Sequence, residues 1–199
     1  MEEFIESVVY SGSFNPFHIG HYEILRALNS DPLVEKILLM PDRLPPHKTS
    51  EFLIDDKTRI EMCRIASGDF SKCKLSLIEF EREGKSYTVD TVKLLKERYP
   101  DRDFAFAIGG DMFVSFKKWR KYEELIKMIS FFVFKRSATD TQEFDKVFEE
   151  LTAEGMKIIL KDDIISAVSS TELRRDFEKS KDLIPEKIYD YLKDRGVYL

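Results

Sequence analysis

The sequence has few cysteines and no long apolar run. Cys63 and Cys73 are its two cysteines, and they stand ten positions apart. A disulfide framework is therefore not expected, and a reducing cytoplasm fits the chain better. No apolar run approaches the roughly 20 residues that cross a membrane, and the acidic start Met1–Phe4 lacks the basic region of a secretory signal. We expect a soluble, cytoplasmic protein without a membrane partner.

An excess of positive charge is also absent. The chain carries 32 lysines and arginines against 37 aspartates and glutamates, for a net charge of −5. Broad binding to nucleic acid is therefore not expected, and any affinity for phosphate must come from local groups. Hydrophobic residues make up 43% of the chain, which is enough for a packed core, and a length of 199 residues suits one domain.

Histidine is scarce, but two of the three histidines stand close together. His18 and His21 follow the stretch Gly12–Phe17, which lies between an apolar run and an amphipathic run. This pattern predicts a strand, a turn and then a helix. A helix N-terminus presents unpaired N–H groups that attract phosphate, and imidazole donates hydrogen bonds to phosphate oxygens. We therefore predict a nucleotide phosphate site at this position.

Two different roles stay open for these histidines. They could be ordinary residues at the start of a helix, or they could be two ligands of a zinc ion. A zinc site takes three or four ligands, whereas His47 is the one further histidine and no Cys-x-x-Cys occurs. We therefore expect no metal ion held by protein side chains alone.

Strand-like and helix-like segments alternate along the chain, which predicts a mostly parallel α/β sheet. The longest irregular stretch, residues 41–54, contains Pro45-Pro46-His47-Lys48 and is a candidate substrate loop. The predicted strands are residues 5–11, 34–40, 73–78, 103–109, 129–135 and 156–160. The predicted helices are residues 20–29, 55–67, 88–99, 111–117, 120–127, 141–153, 170–179 and 185–195.

Two later segments combine glycine with polar groups. Gly84–Thr91 leads into the third predicted helix and offers hydroxyls and free N–H groups that can hold a carboxylate or an amide. Ile108–Asp111 follows the apolar run Phe104–Ala107 at the carboxyl end of a predicted strand, where open α/β sheets bind ligands, and Asp111 could accept hydrogen bonds from a ribose or a base. For the first segment, simple helix capping by Ser86 or Thr88 is the alternative.

The single tryptophan and a serine-rich segment are the remaining candidates. Trp119 could stack on a flat heteroaromatic ligand, or it could be a half-buried core residue. Val168–Arg174 joins a strand-like region to a helix start, so its hydroxyls, its N–H groups and Arg174 could form a second phosphate cradle. A helix cap followed by a surface arginine is the alternative. Neither segment decides a function by itself.

Taken in order, these segments resemble a known family. Ser13–His21 looks like the first motif of the His-x-Gly-His nucleotidyltransferase superfamily. Class I aminoacyl-tRNA synthetases share that motif, but they also carry a Lys-Met-Ser-Lys-Ser-like loop, which this sequence lacks. Five further motifs follow in order along the chain. They are Pro-Pro-His-Lys, Ser-Tyr-Thr-x-Asp-Thr, Ile-Gly-x-Asp with a following Trp, Ser-Ser-Thr-x-x-Arg, and a C-terminal part with Ile184-Pro185, Tyr191 and Gly196–Tyr198. From residue 5 to the end, the chain resembles bacterial nicotinate-nucleotide adenylyltransferases.

The resemblance implies a fold and a reaction. The fold is α/β, a Rossmann-like parallel sheet with helices on both faces and a small C-terminal helical part. It forms one nucleotidyltransferase domain, with a core of about residues 1–165 and a helical part of about residues 166–199. The reaction transfers AMP from ATP to nicotinate mononucleotide and gives deamido-NAD and pyrophosphate. Mg²⁺ would be bound through the ATP phosphates, and a homo-oligomer is left open.

The resemblance also implies roles for particular residues. His18 and His21 would be catalytic and hold the ATP phosphates, while Lys48 would meet the phosphate of the mononucleotide. Trp119 would stack on the pyridine ring, and Thr88 would receive the nicotinate carboxylate. The ATP site would contain Gly12, Ser13, Phe14, Asn15, His18, His21, Gly109, Asp111, Ser169, Ser170, Thr171 and Arg174. The mononucleotide site would contain His47, Lys48, Tyr87, Thr88, Asp111 and Trp119.

Three alternative functions follow from the same motifs. The bacterial family usually begins its first motif Gly-Gly-Thr-Phe-Asp-Pro, whereas Ser11–Pro16 also resembles the nicotinamide-mononucleotide adenylyltransferases of eukaryotes, so an amide or dual specificity is open. Adenylyltransferases for phosphopantetheine, FMN or another phosphorylated acceptor share the first motif but not the Ser-Tyr-Thr-x-Asp-Thr and Trp segments. A non-catalytic nucleotide-binding regulator would be expected to lose a histidine or the Ser-Ser-Thr-x-x-Arg segment.

Overall fold

The protein folds around one parallel sheet, as a computed structural model shows for residues 5–45, 53–136 and 141–198. Within these residues the strands pair in the order β3-β2-β1-β4-β5-β6, and every pair is parallel. This confirms the predicted α/β, Rossmann-like sheet. The strands are β1 (Ile5–Gly12), β2 (Val34–Pro41), β3 (Cys73–Leu75), β4 (Phe104–Gly109), β5 (Ser130–Arg136) and β6 (Lys157–Ile165).

Helices connect the strands and follow the last of them. Short 3-10 helices lie at Ile78–Phe80, Phe116–Lys118 and Glu178–Leu183. The α-helices are α1 (Ile19–Ser30), α2 (Asp56–Ser67), α3 (Thr88–Arg98), α4 (Gly110–Val114), α5 (Tyr122–Leu125), α6 (Thr141–Ala153), α7 (Ser170–Arg175) and α8 (Glu186–Asp194).

Several predicted elements are shorter than expected. The predicted strand 73–78 ends at Leu75, because the chain turns into a 3-10 helix three residues later. The predicted helix 170–179 ends at Arg175, because Asp176 leaves helical geometry, with φ −148° and ψ 76°, before the next 3-10 helix.

Two predicted helices and one strand also have different bounds. The predicted helix 111–117 ends at Val114, because Ser115 leaves helical geometry. The predicted helix 120–127 is reduced to α5, which follows Lys121 in the left-handed region with φ 55°. The predicted strand 156–160 was too short, since β6 continues to Ile165.

The sheet has an apolar core on each face. Val8 and Tyr10 of β1 point into one cluster, which α1, α2 and the C-terminal helices complete, and Val9 points into the other. All six residues of β4 are buried, as expected for a strand covered on both faces. The predicted arrangement, with helices on both faces, is confirmed.

The chain after β6 returns to the first of these cores. Phe177, Ile184, Ile188 and Leu192 are buried in the same cluster as α1 and α2. The division near residue 165 into a core and a helical part stays a prediction. Among the described residues, the helices are all too short or too polar to cross a membrane.

The N-terminus of α2 offers a test of pH-dependent stability. Asp55 Oδ1 accepts a hydrogen bond from the Thr58 N–H at 2.9 Å, and Oδ2 accepts one from the Thr58 hydroxyl at 2.6 Å. These bonds hold the pKa of Asp55 below its ordinary value. A lowered folded-state pKa stabilises the fold above the unfolded pKa of about 4, and this contribution disappears as the pH falls through the folded pKa.

Replacing Asp55 by alanine should therefore lower the free energy of unfolding by about 1 kcal/mol at pH 7. At pH 3, the difference in the free energy of unfolding between Asp55→Ala and the wild type should be smaller. Urea denaturation at both pH values would measure it. Asp55→Asn is the control, because it keeps a cap oxygen without a titrating group. A difference between Asp55→Ala and the wild type that is equal at both pH values would contradict the proposed role of the Asp55 carboxylate.

Candidate active site

The strand order places a crevice between the ends of β1 and β4. The chain runs from β1 outward to β2 and β3, then crosses back to β4 on the other side of β1. Open α/β sheets bind ligands at such a switch point, beyond the carboxyl ends of the strands. Gly12 ends β1 and Gly109 ends β4, so the first motif and the start of α4 border this crevice. Asp111 lies exposed in the first turn of α4.

The end of β1 packs closely against the turn that follows it. A Cβ atom on Gly12 would lie 3.2 Å from the ring of Phe14, which is buried. Phe14 itself has φ 45°, a left-handed conformation that is uncommon outside glycine. Its ring lies 5.1 Å from that of Phe17 and 5.0 Å from that of His21. The rings of Phe14 and Phe17 therefore pack against His21 and help to fix its position.

The two histidines lie stacked at the start of α1. Their ring centroids are 3.6 Å apart with an angle of 21° between the rings. His18 is buried and His21 is half-buried. The His18 backbone N–H donates to His21 Nδ1 at 3.2 Å, so Nδ1 carries no proton. A neutral His21 then has its proton on Nε2, where it can donate to a phosphate oxygen.

Gly20 makes this close packing of the histidines possible. A Cβ atom there would lie 3.0 Å from the backbone oxygen of Ser166 and 3.3 Å from the His18 ring. Any side chain would therefore push the loop before α7 away from the histidines. The same loop is fixed to α1, because Glu23 accepts hydrogen bonds from the Ser166 N–H at 2.7 Å and its hydroxyl at 2.8 Å.

The serine-rich segment at α7 meets the first motif. Arg174 Nη1 donates to the backbone oxygen of Asn15 at 2.7 Å and to that of Ser170 at 3.0 Å. The Ser170 hydroxyl donates to the backbone oxygen of Pro16 at 3.1 Å. These contacts bring together two predicted parts of the ATP site that are more than 150 positions apart in the sequence.

Of the remaining side chains in this segment, one caps α7 and another is exposed. Ser169 caps α7 by accepting a hydrogen bond from the Thr171 N–H at 3.3 Å. The Thr171 hydroxyl is exposed and accepts a hydrogen bond from Arg174 Nη2 at 3.3 Å. Ser169 is therefore a helix cap. Thr171 and one edge of the Arg174 guanidinium lie at the surface of the candidate site.

Two of the predicted mononucleotide residues, Tyr87 and Thr88, lie at the start of α3. Thr88 is the first residue of α3, after Tyr87 at the capping position. The guanidinium of Arg120 lies 4.6 Å from the Tyr87 ring centroid and 3.8 Å from the Asp90 carboxylate. The structure therefore brings the segment after Trp119 against the start of α3. His47 and Lys48 lie outside the described residues.

Trp119 itself is neither free nor fully buried. Its ring lies 4.9 Å from that of Phe116 at an angle of 34°, and it packs at the edge of one apolar core. One part of the ring is thus used for packing while another part is accessible. Trp119 is therefore a half-buried residue of the core, and it keeps surface that a planar ligand can cover.

Comparison with known proteins assigns the chain to a family. The cytidylyltransferase-like family model matches residues 9–176. The nicotinate-nucleotide adenylyltransferase of Bacillus subtilis is 35% identical over 194 residues, with 96% of each chain covered. The chain belongs to the bacterial nicotinate-nucleotide adenylyltransferase family. A probable nicotinate-nucleotide adenylyltransferase of Lactococcus lactis is 34% identical, covering 94% of this chain and 92% of that one.

Solved structures with the same fold carry names from this adenylyltransferase family. The Plasmodium falciparum nicotinic acid mononucleotide adenylyltransferase complexed with APC superposes with a TM-score of 0.79 at 23% identity, over 98% of this chain and 97% of that chain. The same enzyme complexed with NaAD gives a TM-score of 0.78. At this identity the likeness shows the fold, and it confirms the predicted one.

One important residue of this adenylyltransferase fold was not predicted. Arg59 is completely buried on α2, beneath the loops that follow β1 and β2. Its Nη1 donates to the backbone oxygens of Ser13 at 3.2 Å and Asp42 at 2.5 Å, and its Nη2 donates to that of Arg43 at 3.2 Å. Nη2 also pairs with Asp56. Arg59 therefore ties the turn after β1 to the beginning of the candidate substrate loop.

A buried carboxylate beside α3 was also not predicted. Glu79 is 1% exposed, and Arg82 Nη2 donates to its two oxygens at 2.8 and 2.9 Å. The hydroxyl of Thr91 donates to the same carboxylate. Arg82 also donates to the backbone oxygen of Lys85 at 3.2 Å. This network fixes the turn that leads into α3, where the carboxylate of the second substrate is expected.

Ser86 connects this turn to the loop after β2. Its hydroxyl accepts hydrogen bonds from the N–H groups of Arg43 at 3.1 Å and Leu44 at 3.3 Å. Its own N–H donates to the backbone oxygen of Leu44 at 2.9 Å. Capping is therefore not the role of Ser86. Through Arg43 and Arg59, it connects the start of α3 to the turn after β1.

Neither cysteine is placed to act as a nucleophile. Cys63 and Cys73 are both buried in the same apolar cluster as unpaired thiols. Burial raises the pKa of Cys73 to about 12 and the pKa of Cys63 well above its ordinary value. The thiolate is the reactive form, so covalent chemistry on sulfur is disfavoured. In the described part of the chain, there is also no group of three or more metal-ligating side chains.

Proposed function

We propose that this chain is a nicotinate-nucleotide adenylyltransferase, which transfers AMP from ATP to nicotinate mononucleotide and releases deamido-NAD and pyrophosphate. The observation that carries the proposal is the pair of stacked histidines at the start of α1, at the switch point of the sheet. The bonds between the Ser170–Arg174 segment and the first motif support it. The names of full-length relatives that are 34–35% identical agree with it.

In the proposed reaction, an oxygen of the mononucleotide 5′-phosphate attacks the α-phosphorus of ATP. A phosphorus–oxygen bond forms, the bond from the α-phosphorus to the bridging oxygen breaks, and pyrophosphate leaves with that electron pair. No covalent enzyme intermediate is needed. The protein then contributes position and charge stabilisation, which suffices for phosphoryl-type transfer.

The histidines would act where negative charge develops. His21 can donate from Nε2, and the backbone N–H groups at the start of α1 add partial positive charge. His18 supports the His21 ring by stacking and limits the positions that this ring can take. We therefore assign both residues to binding the ATP phosphates and to stabilising the transition state.

The α7 segment would hold the departing pyrophosphate. Three groups lie together near the N-terminus of α7, namely Ser170, the exposed hydroxyl of Thr171 and one edge of Arg174. Ser170 and Arg174 also contact the first motif. Ser13 and Asn15 lie in that motif, so the α- and β-phosphates would sit between the two segments. Hydroxyls, N–H groups and a guanidinium suit anionic oxygens.

The same donor set indicates how magnesium would be bound. Imidazole, hydroxyl, N–H and guanidinium groups complement phosphate, whereas a Mg²⁺ site built by protein requires carboxylates or carbonyl oxygens. Mg²⁺ would therefore arrive on the ATP phosphates, and it would neutralise charge on them during the transfer. Ser13, His21 and Arg174 would hold the oxygens that the ion leaves accessible.

The start of α3 favours an acidic second substrate. The N–H groups and the partial positive charge of a helix start attract a carboxylate more strongly than a neutral amide. The Arg120 guanidinium lies beside the same helix start, against Tyr87 and Asp90. We therefore assign Thr88 to the nicotinate carboxylate, Asp111 to a ribose and Trp119 to the pyridine ring, with nicotinamide mononucleotide as the competing substrate. His47 and Lys48 keep their predicted role at the mononucleotide phosphate.

Replacing Trp119 by alanine should raise the KM for nicotinate mononucleotide about tenfold, since stacking on an aromatic side chain contributes about 1–3 kcal/mol per base. The KM for ATP should stay within about twofold of the wild type. Trp119→Phe is the control, because it keeps a planar ring on Phe116 and should give a smaller rise. Steady-state kinetics with each substrate varied in turn would measure both values, and an unchanged KM for the mononucleotide would remove Trp119 from the site.

Measuring pyrophosphate and deamido-NAD together, with MgATP and nicotinate mononucleotide, tests the reaction itself. Equal amounts of the two products are expected. ATP binding without pyrophosphate release would instead favour a nucleotide-binding regulator. A cytoplasmic location stays a prediction, with which the two buried thiols agree, and a homo-oligomer stays open.

A further inference from the structure

The C-terminal segment of the chain reaches the first motif. The hydroxyl of Tyr198 donates a hydrogen bond to Asn15 Oδ1 at 2.6 Å, across 183 positions of sequence. The Tyr198 ring lies 5.6 Å from that of Phe177, and it packs against the apolar cluster that contains α1, α2 and α8. The proposed reaction has not so far used this residue.

The end of α8 determines where Tyr198 lies. The Val197 N–H donates to the backbone oxygen of Leu192 at 3.0 Å, and the Gly196 N–H donates to that of Lys193 at 3.0 Å. With Gly196 at φ 65°, this is a Schellman ending, which turns the chain sharply at the helix terminus. Tyr198 itself has φ 67°. A left-handed tyrosine is unusual, and such conformations persist where surrounding contacts hold them.

Asn15 is the point where the C-terminal segment meets the site. Its Oδ1 accepts hydrogen bonds from Tyr198 and from the Ile54 N–H, the latter at 3.3 Å. Because a backbone N–H can only donate, these bonds fix which end of the amide is oxygen. The Asn15 backbone oxygen accepts from Arg174. Asn15 therefore links the start of α2, α7 and the C-terminal segment to the turn that precedes His18.

We propose that Tyr198 is a positioning residue for adenylyl transfer, whose hydroxyl holds the Asn15 side chain and thereby the turn that places His18 and His21. The proposal rests on the proposed function. Burial raises the pKa of Tyr198 above its ordinary value, so the hydroxyl stays protonated and can donate at neutral pH. Small displacements of groups around a reacting phosphorus lower the rate strongly, because the reaction requires a near-attack geometry.

Tyr198→Phe tests this role, because it removes the hydroxyl and keeps the ring on Phe177. We expect kcat to fall about tenfold, with both KM values within about twofold of the wild type and the thermal midpoint nearly unchanged. Tyr191→Phe is the matched control. It makes the same chemical change on a half-buried tyrosine of α8, and it should leave kcat unchanged. Equal kcat values for the Tyr198→Phe and wild-type proteins would overturn the proposal.

A double-mutant cycle tests whether the effect passes through Asn15. In an Asn15→Ala background, Tyr198→Phe should cause no further loss of kcat, because its partner is already gone. A tenfold loss of kcat from Tyr198→Phe in the Asn15→Ala background would show that Tyr198 does not act through Asn15, and it would overturn the proposal. A merely structural role would instead lower the thermal midpoint together with the rate.

The same data separate this proposal from the proposed function. Wild-type turnover with nicotinate mononucleotide tests the function, whereas the ratio of variant to wild-type kcat tests Tyr198. If nicotinamide mononucleotide is the better substrate, the ratio is measured with it. No turnover with either mononucleotide would overturn both proposals, and full activity of Tyr198→Phe would overturn this one alone.

Discussion

The His18→Ala protein is expected to lose about 10²- to 10³-fold in kcat, the size of effect seen when one preorganised donor is removed from a charge-stabilising site. His18 is stacked on His21 at the N-terminus of α1. Its removal takes away one imidazole and also the surface that holds the other. We therefore expect a loss in the chemical step that is larger than any change in KM.

Pyrophosphate release under saturating substrates measures this effect, together with the thermal midpoint of each protein. Tyr22→Phe serves as the control, because it lies on the same helix and its hydroxyl points to Asp69 at 3.1 Å, away from the histidines. It should keep wild-type turnover. A folded His18→Ala protein with near-normal kcat would remove His18 from the mechanism.

Arg59→Met is expected to produce the largest loss of stability, about 3 kcal/mol or more, because it removes a fully buried guanidinium and leaves three backbone carbonyl oxygens without their donor. The oxygens belong to Ser13, Asp42 and Arg43. Methionine fills much of the same volume but donates no hydrogen bond. For a chain of this length, the thermal midpoint should fall by about 6–12 °C.

Arg64→Met is the matched control for this loss. Arg64 lies on the same helix, its side chain is 57% exposed, and it pairs with Glu61 at 3.4 Å. Exposed ion pairs contribute little, so its midpoint should stay within about 2 °C of the wild type. Equal midpoints for the two variants would show that the buried guanidinium does not hold the loops together.

The periodicity of apolar residues in short segments was sufficient to predict much of the fold and the position of the two histidines in the candidate site. The apolar run of β1, the turn and the amphipathic α1 are contiguous, so their periodicity predicts them with His18 and His21 at the junction. Because parallel strands end at one edge of a sheet, Gly109 could be assigned to the same edge as Gly12. These inferences depend on short stretches of sequence.

Contacts between distant segments were not predictable in this way. Arg59 stands on the buried face of α2 beside Met62 and Cys63. An arginine on an apolar face was a signal that could have been used, but its partners are carbonyl oxygens of distant loops and leave no pattern. The bond from Tyr198 to Asn15 joins residues 183 positions apart. Only the packed fold specifies such pairs.

The shortened elements show a related limit. Residues 170–179 have helical composition, but α7 ends at Arg175, Phe177 is buried, and a separate 3-10 helix begins at Glu178. Residue propensity alone favoured one long helix. Packing of Phe177 against Tyr189, with ring centroids 4.9 Å apart, fixes the chain differently. Tertiary contacts therefore override local preference at this point.

Adenylylation of nicotinate mononucleotide is the central claim for this chain, and one comparison tests it most directly. Initial rates of pyrophosphate release are measured with MgATP and either nicotinate mononucleotide or nicotinamide mononucleotide. We predict release when both MgATP and the acid are present, and a strong preference for the acid because of the charge at the start of α3. Equal rates would contradict the acid specificity, and no release with either substrate would contradict the proposed reaction.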